Sequence, residues 1–131
     1  MKRIAAAILL CLCADGPAQA LNCQSPANTV EMDRCAGRDF QAADAKLNAL
    51  YRSMMSRYDA ANQTALKAAE KSWMLYRDAE CTFETNGTAG GTINSTMFTQ
   101  CRTAKTNARL RDLNAQLHCA EGDLSCNAPS D

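Results

Sequence analysis

The chain has 131 residues, 47% of them hydrophobic and 21% charged, which describes one ordinary domain and excludes multidomain or disordered organisation. Its 14 basic and 14 acidic side chains balance and form no run of one sign, so it lacks the basic surface that nucleic-acid binding needs. Aromatic residues make up only 5%, so the core must consist mainly of Leu, Met and Ala, which favours close-packed helices.

The first twenty residues have the three parts of a secretory signal peptide. Residues 1–3 are a basic start, residues 4–14 are an apolar run, and Ala18-Gln19-Ala20 is a small-x-small cleavage site. We therefore predict that residues 1–20 are cleaved and that residues 21–131 form a single helical domain, periplasmic or secreted. The apolar run is shorter than the roughly 20 residues of a membrane helix, so no membrane span is expected. The residues before Cys23 do not fit a lipid-attachment site, which predicts cleavage without lipidation.

Asn28 or Thr29 is the predicted N-cap of a first helix that runs to about Tyr58. Acidic Glu31 and Asp33 lie in its opening turns, where the helix dipole favours negative charge. Apolar residues recur there every three or four positions, at Met32, Ala36, Phe40, Ala43, Leu47, Leu50, Met54 and Tyr58. This spacing predicts one continuous buried stripe along the helix.

A second helix is predicted from about Ala61 to Thr85 and a third from about Ile93 to Leu117. The second carries Leu66, Ala69, Trp73, Tyr76 and Phe83 at helical spacing. We interpret its aromatic residues as core or half-buried packing rather than as a platform for sugar stacking. The glycine-rich segment 86–92 ends this helix. Long helices with short connections predict an all-α fold, an elongated antiparallel three-helix bundle.

Six cysteines remain after signal cleavage, an even number that favours disulfides in an oxidising compartment. No pair has C-x-x-C spacing and the chain has one histidine, so we expect no metal site and no cofactor. In a hairpin folded about Gly90-Gly91, Cys81 and Cys101 lie at matched heights, whereas Cys35 and Cys119 fall at opposite ends. The resulting pairs are Cys23 with Cys35, Cys81 with Cys101, and Cys119 with Cys126. A pairing in which Cys23 exchanges places with a cysteine of the C-terminal tail also fits.

An ordered set of short motifs resembles a known family. The motifs are Thr29-x-Glu31-Met32-x-x-Cys35-Ala36, Ala43-Asp44-x-x-Leu47-Asn48-x-x-Tyr51, Trp73-x-x-Tyr76-Arg77-Asp78-Ala79-Glu80-Cys81, and Gly90-Gly91 followed by Cys101. Together they resemble the LprI-type lysozyme-inhibitor family of exported bacterial proteins, over most of residues 23–117. The resemblance implies a helical, disulfide-bonded envelope protein and, for some members, inhibition of lysozyme. It carries over no inhibitory residues.

If lysozyme is the partner, the loop from Thr85 to Ser95 is the predicted contact. Lysozyme has a concave cleft with two catalytic carboxyl groups, so an inhibitor should present a protruding element with hydrogen-bond donors. The loop is small, polar and glycine-rich, and the expected bridge between Cys81 and Cys101 would lower the entropy cost of ordering it. Its predicted partner-binding residues are Thr85, Asn86, Thr88, Gly90, Gly91 and Thr92.

The same features also fit a non-catalytic envelope module that contacts peptidoglycan or another envelope protein. An enzyme is less favoured, because a single histidine, His118, and the lack of a metal or phosphate-loop motif leave no catalytic residues to assign. Asp44 and Asn48 lie one turn apart and are either a paired polar site or a brace for a helix contact. Arg77 is expected to pair with a carboxylate on a neighbouring helix.

Overall fold

The computed structural model describes residues 21–120, 122–127 and 129, and in these ranges it is all-α, as predicted. The helices are α1 (Thr29–Arg57), α2 (Ala60–Glu84) and α3 (Asn94–Leu117), with a 3₁₀ turn at Asn86–Thr88. The predicted helix ends agree with the observed ones to within one residue. None of these helices is long and apolar enough to cross a bilayer. The predicted signal peptide lies outside the described residues.

Side-chain caps fix the first residues of α1 and α2. The Asn28 side chain accepts a hydrogen bond from the Glu31 N–H at 3.0 Å, and the Glu31 carboxylate accepts one from the Ala27 N–H at 2.8 Å. At α2, the Asp59 carboxylate accepts from the Asn62 N–H at 2.8 Å. Each cap satisfies a backbone donor that has no partner inside its helix. Because only residues 58 and 59 separate α1 from α2, the chain reverses sharply there.

The predicted stripe of α1 is buried along most of its length, mainly against α3. The buried alanines Ala36 and Ala43 let the two helices approach closely. Below them, the core cluster consists of Leu47, Met54, Tyr58, Leu66 and Leu113. Partly buried residues of all three helices pack around this cluster, among them Leu50, Tyr51, Trp73, Leu110 and Leu117. The prediction for α1 is therefore confirmed at its main positions.

The contacts between α2 and α3 follow a regular order. They join Glu70 to Arg109, Asp78 to Arg102, and Cys81 to Cys101. Residue numbers rise along α2 as they fall along α3, which is compatible with the predicted antiparallel arrangement of these helices.

The inward face of α2 differs from the predicted one. Its buried residues are Leu66, Glu70, Arg77 and Cys81. Tyr76 is 55% exposed and Phe83 is 78% exposed, so the interpretation of these two rings as core or half-buried packing is wrong. Trp73 is half-buried, as expected. Two charged residues face inward because α3 and a neighbouring carboxylate provide their partners, and this rotation directs the other two rings outward.

All three predicted disulfides are present. The Cα atoms are 5.6 Å apart in Cys23–Cys35, 5.7 Å in Cys81–Cys101 and 5.8 Å in Cys119–Cys126. The first bridge joins the segment before α1 to that helix, and the third links two residues of the segment that follows α3. The tail then reaches the turn between α1 and α2, where the Tyr58 hydroxyl donates a hydrogen bond to the Asn127 carbonyl.

Candidate functional site

The predicted contact loop connects α2 to α3 beside the buried Cys81–Cys101 bridge. The Thr85 hydroxyl donates to the Cys81 carbonyl at 2.7 Å, and the Thr88 hydroxyl donates to the Thr85 carbonyl at 2.8 Å. From the first turn of α3, the Asn94 amide donates to the Thr85 carbonyl at 3.2 Å and to the Thr88 hydroxyl at 2.9 Å. Side-chain hydrogen bonds therefore hold the two ends of the loop together.

Both glycines of the Gly90-Gly91 pair suit the loop backbone. Gly90 has a φ of +78°, in the left-handed region that side chains disfavour. At Gly91, a Cβ atom would lie 3.1 Å from the Thr88 carbonyl oxygen, closer than nine in ten such contacts. The two glycines thus have a structural role whether or not they also contact a partner.

The six residues predicted to bind a partner fall into two groups. Thr85 is buried and Thr88 is half-buried, and both hydroxyls already donate within the loop. The exposed members are Asn86, Gly90, Gly91 and Thr92. Binding of a partner by this loop stays a prediction, and these four residues are the part of it that faces solvent.

Two of the helical motifs behind the family resemblance, residues 43–51 and 73–81, meet at a second location. Near their shared turn, α1 and α2 are joined by the Gln63 amide, which donates to the Met55 carbonyl at 2.9 Å and the Tyr58 carbonyl at 2.8 Å. Farther along they leave a groove of about 270 Å³ between them. It is lined by Asp44, Leu47, Asn48 and Tyr51 of α1 and by Lys67, Glu70, Lys71, Trp73, Met74 and Arg77 of α2.

The α1 wall of this groove carries the polar pair noted in the sequence. The Asn48 amide donates to the Asp44 carboxylate at 2.8 Å. Asn48 is exposed and Asp44 is half-buried, so the pair is accessible from the groove. Lys67 and Lys71 of the opposite wall are not among the residues predicted from the sequence. Their one-turn spacing was visible in the sequence, but their position across from Asp44 depends on how the helices pack.

The buried charges of α2 are compensated by neighbouring groups. Glu70 accepts from the Arg109 guanidinium of α3, with Nε at 2.8 Å. Arg77 donates from Nε to the adjacent Asp78 at 2.8 Å, and its guanidinium lies 5.2 Å from the centre of the Trp73 ring. The expectation of a carboxylate partner for Arg77 on a neighbouring helix is therefore wrong. On α3 it reaches the Thr106 hydroxyl instead, at 3.5 Å.

Asp78 and Tyr58 are among the described groups whose pKa values are shifted. The hydrogen bond from Arg77 holds the pKa of the Asp78 carboxyl below its usual value, and the charge of Arg102 adds to this effect. Burial raises the pKa of the Tyr58 hydroxyl, while the charge of Arg57 partly opposes the shift. Neither group lines the groove or belongs to the loop, so these shifts affect stability rather than a reaction.

Comparisons with known proteins cover most of the chain. The family profile described as "Lysozyme inhibitor LprI" matches residues 21–113, which include α1, α2 and most of α3. An uncharacterized protein of Rhizobium meliloti (strain 1021) is 28% identical over 138 residues, which cover 92% of this chain and 99% of that protein. No solved structure matches the chain. The matched region contains both the groove and the loop.

Proposed function

The chain belongs to the LprI lysozyme inhibitor family, and from this premise we propose that it is an exported, non-catalytic inhibitor of lysozyme. Its three disulfides support export, because such bonds persist in oxidising compartments such as the periplasm. The part that contacts lysozyme in this proposal is the loop between α2 and α3.

The internal order of the loop is the observation that carries this proposal. Hydrogen bonds from Thr85, Thr88 and Asn94 fix its ends beside the bridge between α2 and α3. A loop that is ordered before binding loses little conformational entropy when it enters a cleft. The exposed Asn86 and Thr92 offer donors to the carboxyl groups of a lysozyme cleft.

Inhibition itself is tested by titrating the exported, oxidised protein into a lysozyme turnover assay on bacterial cell walls. We expect saturable inhibition near one-to-one stoichiometry, and we expect its loss in a sample whose disulfides have been reduced. If folded protein leaves lysozymes of several classes fully active, the proposal is wrong.

The role of the loop is tested by adding bulk at Gly87. Gly87 is exposed and a Cβ atom there would meet nothing within 4 Å, so Gly87→Tyr adds a side chain at a point of the loop where its first atom has room. We expect inhibition to weaken about tenfold or more, the cost of a lost or misplaced hydrogen bond to a charged group. The matched control is Ala42→Tyr, at an exposed position of α1 outside the loop.

Circular dichroism of both variants checks that the helices are intact. A folded Gly87→Tyr protein that inhibits as well as the unsubstituted chain would exclude the loop as the contact. A similar loss in Ala42→Tyr would also exclude it, because the effect would then be independent of position.

A further inference from the structure

The groove between α1 and α2 has the size and lining of a site for one small ring. Its volume of about 270 Å³ is close to the lower end of ligand pockets, roughly 300 Å³. Tyr51 on one wall and Trp73 on the other are both half-buried and line it. The part of each ring that the protein leaves uncovered offers apolar surface against which the C–H groups of a sugar ring can pack. The Arg77 and Arg109 guanidinium groups already lie over the Trp73 ring, 5.2 and 5.9 Å from its centre.

The polar groups of the α1 wall match hydroxyl groups. Asn48 uses one amide N–H for Asp44, and within the described residues its amide oxygen has no hydrogen-bond partner. Asp44 likewise keeps a carboxylate oxygen without a protein partner in the described part of the chain. A hydroxyl both donates and accepts, so adjacent sugar hydroxyls can use an amide and a carboxylate side by side.

The α2 wall adds two positive charges that form no ion pair with the described residues. Lys67 and Lys71 are exposed, one turn apart, and among the described residues neither has a carboxylate within ion-pair distance. The other two charges of this wall are paired, Glu70 with an arginine of α3 and Arg77 with its neighbouring aspartate. The two lysines therefore favour a ligand with a negative group on the α2 side.

We propose that this groove binds one acidic sugar residue. The ring lies between Tyr51 and Trp73, its hydroxyls bond to the Asp44–Asn48 pair, and its carboxylate contacts Lys67 and Lys71. Muramic acid residues of peptidoglycan strands that carry no stem peptide and uronic acid residues of other polysaccharides share this free carboxylate. The site is separate from the loop, so glycan binding does not depend on the proposed inhibition of lysozyme.

The chain contains a single tryptophan, so the fluorescence of Trp73 reports directly on the groove. We would titrate the exported, oxidised protein with N-acetylmuramic acid, glucuronic acid and neutral N-acetylglucosamine, and repeat each titration by calorimetry. We expect saturable binding of at least one acid, about tenfold tighter than the neutral sugar, as a charge-assisted contact predicts.

The outcomes separate the two sources of the ligand. Tighter binding of N-acetylmuramic acid supports the proposal and assigns peptidoglycan strands without stem peptides, whereas tighter binding of glucuronic acid supports it and assigns an acidic polysaccharide. If neither acid binds in the fluorescence titration or in calorimetry, the proposal is wrong. Equal affinity for the neutral sugar also overturns it, because the lysines would then have no role.

A double variant tests the lysines themselves. Lys67→Gln with Lys71→Gln should reduce affinity for the acid about tenfold, to the level of the neutral sugar. Lys46→Gln, at an exposed position of α1 that does not line the groove, is the matched control and should bind normally. Equal losses in the control and the double variant would contradict the assignment. Lysozyme inhibition should persist in the double variant, so failure of one proposal leaves the other testable.

Discussion

The two neighbours of α3 are attached to it by different chemistry. Against α1, the contact is mainly apolar, with buried alanines at one end and Leu47, Met54 and Leu113 in the core cluster. Against α2, the described contacts include ion pairs of Glu70 with Arg109 and of Glu84 with Lys105, together with a disulfide. One contact is thus held chiefly by burial, and the other by charge and a covalent bond.

The two contacts should therefore differ in how strongly their stability depends on solution conditions. Burial of apolar area depends little on pH or salt, whereas ion pairs weaken with salt and disulfides require an oxidising medium. The helix whose contact with α3 depends on these conditions is α2, and it supplies one wall of the groove and one end of the loop. Conditions that loosen α2 should therefore affect both proposed sites before they affect the pair α1 and α3.

The largest expected effect is in the apolar contact. Leu113 is 4% exposed in the core cluster, so Leu113→Ala should lower the free energy of unfolding by about 2–5 kcal/mol. The matched control is Leu75→Ala, because Leu75 is 68% exposed and its loss should cost about 0.5 kcal/mol or less. Urea unfolding of both variants measures the difference. Equal losses would show that the cluster is not the core.

Removal of the bridge between α2 and α3 comes next. The double variant Cys81→Ala with Cys101→Ala opens a bridge with a sequence separation of 20 and should cost about 3 kcal/mol. Removal of the bridge between Cys119 and Cys126, with a separation of 7, should cost nearer 2 kcal/mol.

Amide hydrogen exchange locates the effect of the first variant. We expect α2 to exchange faster while α1 and α3 keep their protection, because their mutual contact is mainly apolar. If all three helices lose protection together, the molecule unfolds as one unit and the contrast between the two contacts does not hold.

A third effect concerns the ion pair of Glu70 with Arg109. Glu70 is 9% exposed, so Glu70→Gln leaves the arginine without its charge partner and should cost about 1–3 kcal/mol. Replacing both residues by leucine should restore much of the loss, because a buried ion pair is often replaceable by apolar packing. A double-mutant cycle measures the coupling. Additive losses would indicate that the pair contributes no mutual interaction.

The helix ends could be predicted because local signals specify them, and the Cys81–Cys101 pair followed from the hairpin expected of two long helices. Asn28 caps α1 through its own side chain, and the glycine-rich segment ends α2, so both boundaries were readable. The inward face of α2 could not be predicted from the sequence, because Glu70 and Arg77 are buried only when partners from elsewhere in the fold reach them. Apolar spacing alone therefore assigned Tyr76 and Phe83 to the wrong face.

The same limit applies to the candidate sites. Composition identified the loop, but it did not show that Asn94 of α3 bonds to two loop residues and thereby orders it. The motifs containing Asn48 and Trp73 were each visible in the sequence. They line the same groove only because α1 and α2 pack side by side, and the spacing of residues within either motif does not predict that packing.

The smallest expected effect is the pH dependence that Asp78 gives to the contact of α2 with α3. Arg77 and Arg102 hold the pKa of this carboxyl below its ordinary value of about 4, so the ionised form stabilises the fold. That contribution is complete above the ordinary pKa and is lost as the pH falls through the lowered one. The Asp78 side chain is 47% exposed, which limits the contribution to about 0.5 kcal/mol.

Asp78→Asn should remove this contribution at neutral pH and leave the stability at low pH nearly unchanged. Urea unfolding of the unsubstituted chain and the variant, at neutral pH and well below the ordinary pKa, therefore gives two curves that converge on acidification. Curves that stay parallel would mean that Asp78 does not stabilise the fold through its charge. If the two curves converge and acidification speeds amide exchange only in α2, Asp78 is one of the charges through which pH weakens the contact of α2 with α3.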